Sequence, residues 1–338
     1  MSSNDFAVRL QAAVARHMGA PGTIFDLKRL TGGANKTTWA FDAECGGKRG
    51  TYILQLASTK QLDPSDPFAA LAELMPHLNA EEDARIMIAA VKAGVPAPRV
   101  RAIFDDTDGL GGGYITEFVE GETLAPKILR EQRFAPARKI MAAQCGEILA
   151  AIHRIDPREA PFLKRQFAAD VIEMQRKVVD LRGFRHPAIE MGIKWASEHI
   201  PKNQRHTVVH GDFRHGNLIV GENDGIRLVL DWEIAQTGDP MQDLGWVCVK
   251  TWRFGGPKPV GGFGTREDLF AAYEKASGHS VDPEHVRFWE AWGCVKWGIG
   301  CLGMGARGID EEVLERSAIG RRIEEPLWDF ITLIEGRD

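Results

Sequence analysis

Cysteine is scarce in this chain, and what there is does not pair up. Cys45, Cys145, Cys248, Cys294 and Cys301 are odd in number, scattered and free of C-x-x-C spacing. A disulfide framework is excluded as the basis of the fold, and the five read as reduced thiols of a cytosolic protein. Long apolar runs are missing as well. No segment approaches the ~20 apolar residues of a membrane span, and Met1 to Gly19 reads as a short amphipathic helix without the apolar core of a signal peptide. Basic runs are also missing: the net charge is -5, and no aromatic–basic interleaving suggests nucleic acid. The expectation is a cytoplasmic protein, monomer or homodimer, with neither nucleic acid nor membrane as partner. Its 338 residues, 44% apolar and 26% charged, suffice for two lobes with cores of their own.

The first third reads as strands around one helix. Phe25 to Leu30 and Thr37 to Asp42 flank a tight Gly-Gly turn, and Thr51 to Ala57 forms a third strand. Residues 79–93 predict a helix, with Ile86, Met87, Ala90 and Val91 on one face and Gly94 and Pro96 as its stop. Val100 to Phe104 and Tyr114 to Val119 add two strands around a polar turn. After Glu120-Gly121 the pattern turns helical, over 136–155, 168–180, 187–199, 265–277, 283–303 and 310–335. The Gly-rich stretch 255–264 reads as a mobile loop. The expected architecture is α+β and bilobal. Residues 1–119, hinge strand included, form a β-rich lobe, and 120–338 a larger, mainly helical one.

One strand-loop-strand unit interrupts the helices. His210-Gly211-Asp212-Phe213-Arg214-His215-Gly216-Asn217 follows the apolar Val208-Val209, and Asp231 ends the next apolar run, Leu228-Val229-Leu230. Phosphoryl transfer needs a carboxylate to take or orient the proton of an attacking hydroxyl. It also needs a carboxylate and an amide oxygen to hold magnesium. The order H-x-D-x-x-x-x-N, then D, supplies all three as kinase catalytic loops do. Asp212 is then the catalytic residue, and Asn217 and Asp231 are the Mg2+ ligands. Taken singly, each has a plainer role as a turn residue or cap; the three at this spacing outweigh it. His210 reads as structural, Asp239 as a turn residue, and Asp243 as a helix cap or a brace of the catalytic loop. A zinc site from His206, His210 and His215 is opposed by their spacing, because a strand separates the first two and no helical face gathers them.

These motifs resemble the aminoglycoside phosphotransferase and choline kinase group, small-molecule kinases with a protein-kinase-like fold. H-G-D-F-R-H-G-N-L-I stands for the group's catalytic loop, L-V-L-D-W-E for its metal-binding strand, and G-D-P-M-Q-D-L-G-W for the segment that follows. L-T-G-G-A-N-K-T-T-W is similar to the nucleotide loop, and Y-I-T-E-F-V-E-G to the hinge. The segments W-R-F-G, T-R-E-D-L-F-A-A-Y-E and V-R-F-W-E-A-W-G-C-V-K-W resemble a branch found as phosphotransferase domains attached to some acyl-CoA dehydrogenases. The resemblance implies that Gly32, Gly33 and Asn35 cover the phosphates of ATP, and that backbone groups of Glu117, Phe118 and Val119 meet the adenine.

One position departs from the group. Kinases place a lysine, and this group often an arginine, on the third strand to hold the α/β-phosphates; here that position is Gln55. An amide donates hydrogen bonds but brings no charge, and losing one preorganised donor costs ~3 kcal/mol in the transition state. Either Gln55 suffices beside magnesium, or Lys36 or Lys60 substitutes, or the chain binds nucleotide with little turnover. The helix acid that pairs with such a cation is Glu82 or Asp83, which the sequence does not separate.

Six of the nine tryptophans fall between 232 and 297. Aromatics at helical spacing are usually core. Read functionally, Trp252 and Trp289 help to wall a cleft for a substrate with an apolar body, and Lys296, with Lys250 and Arg253, suits a carboxylate or CoA phosphate. The expected activity is ATP- and Mg2+-dependent phosphorylation of a small-molecule hydroxyl, with a hydroxy acid or hydroxyacyl-CoA as candidate acceptor. The competing reading is a nucleotide-binding pseudokinase or regulatory module. Gln55 speaks for it; the retained Asp212, Asn217 and Asp231 speak against it.

Overall fold

The computed structural model describes residues 3–30, 36–57, 75–310 and 314–337; Gly32, Gly33, Asn35 and Lys60 lie outside these ranges. Five antiparallel strands build the first lobe: β1 (Pro21–Leu30), β2 (Lys36–Cys45), β3 (Lys48–Ala57), β4 (Val100–Ile103) and β5 (Gly113–Glu117), in the spatial order β1-β2-β3-β5-β4. Side chains alternate along a strand, so the sheet has two unlike faces. Phe41, Ala43, Tyr52, Leu54 and Ile115 are buried on one side, against Leu10, Ala13 and Val14 of helix α1 (Ser3–Met18). Lys36, Thr38, Ile53, Gln55, Tyr114 and Thr116 take the other side and line the cleft between the lobes. Each large apolar side chain buried under α1 contributes roughly 1.5–3 kcal/mol. The apolar face therefore fixes the wall whose polar face meets the cleft.

Helix α2 (Ala80–Lys92) follows, opened by a reciprocal cap in which Asn79 accepts from the Glu82 N–H and Glu82 accepts from the Asn79 N–H. Its buried positions Asp83, Ala84, Ile86, Met87 and Ala90 recur at helical spacing.

The second lobe holds α3 (Ala125–Arg130), α4 (Ala135–Ile152), α5 (Ala168–Leu181), α6 (Pro187–Glu198), α7 (Met241–Cys248), α8 (Arg266–Ser277), α9 (Pro283–Asp310), α10 (Leu314–Gly320) and α11 (Glu324–Ile334). A small sheet, β6 (Arg165–Gln166), β10 (Gln236–Gly238) and β7 (Thr207–Val209), and the hairpin β8 (Leu218–Gly221) with β9 (Gly225–Val229) interrupt the helices. Met141, Cys145, Ile148, Leu149 and Ile152 form the buried face of α4, which packs on α8 and β9.

Three elements differ from the sequence expectation. β1 starts at Pro21, four residues before Phe25, because an exposed edge strand shows no apolar alternation to mark its start. The stretch 310–335 is not one helix: α9 runs on to Asp310, and a turn at 321–323 separates α10 from α11. The stretch 255–264 is pinned by the pairings of Lys258 with Gly262 and of Val260 with Gly264, and it buries Val260 and Phe263.

Candidate active site

The buried residues Val208 and Val209 of β7 lead straight into the candidate catalytic loop. Gly211 turns there with φ +80°, and a Cβ on it would lie 2.7 Å from the Ile234 carbonyl oxygen, so only glycine fits. Asp212 comes next. Its carboxylate accepts from Trp246 Nε1 at 2.8 Å, Asn217 Nδ2 at 2.7 Å and Arg214 Nε at 3.1 Å. Three donors from different directions fix the carboxylate's orientation.

A buried polar network holds this loop from behind. Asp243 is fully buried and accepts from the His210 N–H at 2.8 Å and the Gly211 N–H at 2.9 Å. It also meets His153 Nε2 at 3.2 Å, and the other nitrogen of that ring meets the Tyr273 hydroxyl, to which Arg205 donates. Burial pushes the Asp243 pKa up, but the His153 hydrogen bond and nearby charge outweigh it and hold the pKa below the usual carboxylate value. Burial lowers the His210 pKa, which leaves a neutral ring with one donor and one acceptor. Nε2 donates to the Leu230 carbonyl at 3.0 Å and Nδ1 accepts from the Asp212 N–H at 3.2 Å. The ring thus ties the catalytic loop to the chain that delivers Asp231. His215, lowered to about 4 by burial, donates to the Gly261 carbonyl, and His206 packs on Phe167. The three histidines face different neighbours, and no group of three or more metal-ligating side chains occurs among the described residues.

Asp231 adopts the left-handed backbone, φ +67°, two residues past β9. Its side chain is open to the cleft, yet the surrounding protein desolvates it. That desolvation, with the charges of Glu233 and Asp212, raises its pKa to about 6. The position carries negative charge that a cation would offset. Asn217 gives its NH2 to Asp212, which leaves its amide oxygen without a protein partner among the described residues. One carboxylate and one amide oxygen fit Mg2+, which keeps several waters and takes the rest of its shell from substrate phosphates.

The opposite wall is the polar face of the sheet. Gln55 faces the cleft and touches the Tyr114 hydroxyl, which donates to Asp83 Oδ2 at 2.6 Å. The Lys36 ammonium lies 2.6 Å from Asp83 Oδ2 and 3.0 Å from Glu233 Oε2. Burial pushes its pKa down, but Asp83 and Glu233 outweigh this and raise it. Of the two candidate helix acids, Asp83 is 1% exposed and faces this cluster. Glu82 does not belong to the site, because the cap of α2 takes its carboxylate one position away on the helix surface.

The cleft encloses about 600 Å³. Glu117, Phe118 and Val119 line its hinge side. The Glu117 and Phe118 N–H groups donate to the Arg99 and Thr51 carbonyls, whereas the Val119 N–H has no partner among the described residues.

The proposed acceptor wall fares differently. Trp289 is 2% exposed and donates to Asp239 Oδ2 at 2.7 Å, so it is interior and meets no substrate. Trp252 is 4% exposed and carries the Arg214 guanidinium 4.7 Å above its ring. Lys250 pairs with Asp329 at 2.8 Å and Arg253 with Glu290 at 3.0 Å, so neither is free for an anion. Lys296 lies 4.6 Å over the Trp246 ring, and burial lowers its pKa in spite of Asp212 and Asp243 nearby.

Sequence reasoning missed Arg214, although a cation two residues past Asp212 was its signal, and Glu233, two residues past Asp231. The hydrogen bond from Trp246 to Asp212 spans 34 residues and has no sequence signature.

Comparison with known proteins bears on the fold and the family. A mouse protein, acyl-CoA dehydrogenase family member 10, is 29% identical over 221 residues, which cover 60% of this chain and 20% of that relative. The chain thus spans about a fifth of the relative's length. A candidate aminoglycoside phosphotransferase from Ralstonia eutropha superposes with a TM-score of 0.73 at 23% identity, covering 96% of this chain and 97% of the other. Choline kinase from Cryptosporidium parvum gives 0.61 at 11% identity, covering 96% and 94%. These likenesses show the kinase-like, α+β fold. The family profile itself matches residues 26–289, from β1 through the catalytic loop into α9. The chain belongs to the phosphotransferase enzyme family.

Proposed function

We propose that the protein transfers the γ-phosphoryl group of ATP, with Mg2+, to the hydroxyl of a small molecule that also carries an anionic group. The observation that carries the transfer is the Asp212 carboxylate, held by three donors within the same site as Asn217 and Asp231. The acceptor oxygen attacks the γ-phosphorus, the bond from phosphorus to the β–γ bridging oxygen breaks, and the hydroxyl proton passes to Asp212. Asn217 and Asp231 would hold Mg2+, which when bound offsets charge on the phosphates. The Val119 N–H would meet the adenine. Arg214, which touches Asp212 and lines the cleft, is placed to meet the transferring group.

The acceptor reading rests on a second recess, of about 430 Å³, beside the catalytic loop. Phe254 and Phe263 line it and pack on the His215 ring. Arg130, Lys139 and Lys258 also line it; they are exposed and carry no partner among the described residues, and no acidic side chain joins them. Unpaired cations over an apolar floor suit a hydroxy acid or a hydroxyacyl-CoA and oppose a polycationic antibiotic. The names of the acyl-CoA dehydrogenase relatives point the same way. The test is nucleotide consumption across hydroxy acids, their CoA thioesters, amino alcohols and aminoglycosides. Acids or thioesters turning over best supports the acceptor class, and selective phosphorylation of aminoglycosides sinks it.

Gln55 favours one other reading, a nucleotide-binding module with little turnover. Acceptor-dependent ATP consumption that Asp212→Ala abolishes would dismiss it.

A further inference from the structure

The third strand lacks its cation, but the wall it belongs to does not. Among the described residues that line the cleft, Lys36 and Arg214 are the cations, and Lys36 alone comes from the sheet. Thr38 pairs with Gln55 across β2 and β3, and Lys36 lies two residues along β2 from Thr38. A two-residue step returns to the same face. Lys36 therefore stands on the cleft side of the neighbouring strand, one register step from the position Gln55 occupies. Its ammonium reaches Asp83 on the inner face of α2. Gln55 reaches the same acid only through the Tyr114 hydroxyl.

Resting on the kinase reading, we infer that Lys36 is this protein's phosphate-binding cation, moved from β3 to β2 and oriented by Asp83. The side chain of Lys36 is 13% exposed, so it is held in place rather than sweeping through solvent. Two carboxylates hold it, Asp83 from the first lobe and Glu233 from the second. Glu233 lies two residues past Asp231, so the same lysine joins the sheet wall to the metal-binding segment. In the nucleotide complex the ammonium keeps Asp83 and turns a remaining proton to the phosphates, as its three donors allow.

The test compares ATP and adenosine binding to the full-length chain, by calorimetry with Mg2+ present. Wild type must bind ATP more tightly than adenosine; equal affinities would overturn the kinase reading itself, separately from the role of Lys36. Lys36→Gln is expected to lose roughly 10- to 100-fold in ATP affinity while adenosine affinity stays within about twofold, the size of a lost charge-assisted hydrogen bond. Lys36→Gln with Gln55→Lys is expected to regain most of the ATP affinity, because position 55 faces the same acid. ATP affinity unchanged in Lys36→Gln overturns the inference. So does an equal loss for ATP and adenosine, which would make the lysine only a latch between lobes. A loss that Gln55→Lys does not repair overturns the exchange of strands.

Discussion

On one side of the cleft Asp212 sits on a loop whose backbone N–H groups are held by Asp243 and whose neighbour His210 uses both ring nitrogens. On the other side Lys36, Asp83, Glu233 and Tyr114 form a cluster of charge on the polar face of a sheet. The first arrangement depends on direction: each hydrogen bond needs its donor at a given angle, so moving one residue breaks several bonds. The second depends mainly on distance, because an ammonium near Asp83 serves whether it arrives from β2 or β3. The loop's geometry therefore demands a set sequence spacing, whereas the cation inferred at Lys36 needs only to reach Asp83.

The comparison can be broken, and the largest effect tests its directional side. Asp212→Ala is expected to lower kcat by about 10²–10⁴-fold, the usual share of a general base, with ATP affinity retained. A kcat within a few-fold of wild type would remove Asp212 from the chemistry. Asp243→Ala leaves two buried N–H groups and His153 without their acceptor. It is expected to cost about 3–5 kcal/mol of stability, read in urea unfolding. A cost below about 1 kcal/mol would mean that the loop is not braced as described.

Asp231 tests the open, electrostatic side. Its carboxyl titrates in the folded chain at about 6, above its ordinary value of 3.8. The raised pKa gives stability that is fully present below the unfolded value and is lost as pH rises through about 6. Asp231→Asn, which tolerates the left-handed backbone, should therefore raise the Tm of the ligand-free protein at pH 8 and leave it nearly unchanged at pH 4. The same variant should lose the Tm increase that Mg2+ with ADP gives wild type. A variant less stable than wild type at pH 8 would contradict the charge balance at this site. The smallest effect is expected from Trp246→Phe, which removes one of the donors to Asp212. One hydrogen bond to a charged group is worth about 1.5–3 kcal/mol at most, and two donors remain, so a fall in kcat of roughly tenfold is the expectation. A fall as large as that of Asp212→Ala would make the indole, rather than the loop, the part that positions the base.

Much of the fold was legible because periodicity follows burial. The alternation in 51–57 and the helical face of 79–93 show because one side of each meets a core. The start of β1 did not show, since an edge strand buries little. At the site, residues joined by local spacing, Asp212 with Asn217, could be read directly. The meeting of Lys36 with Asp83 and Glu233 could not, because it depends on how two lobes come together. The tryptophans misled for the opposite reason. Trp289 has the bulk of a substrate wall, but its indole N–H satisfies the buried Asp239.

All five cysteines are free and buried: Cys45 in the core under α1, and Cys145, Cys248, Cys294 and Cys301 in the core of the helical lobe. Burial also raises the pKa of each of these four, which suppresses the thiolate that alkylating reagents attack. In the native chain the thiols are thus silent, and each becomes reactive only when its own lobe opens. Alkylation timed by mass spectrometry would read the opening of the two lobes separately in unaltered protein, with Cys45 as the clock for one and the remaining four for the other.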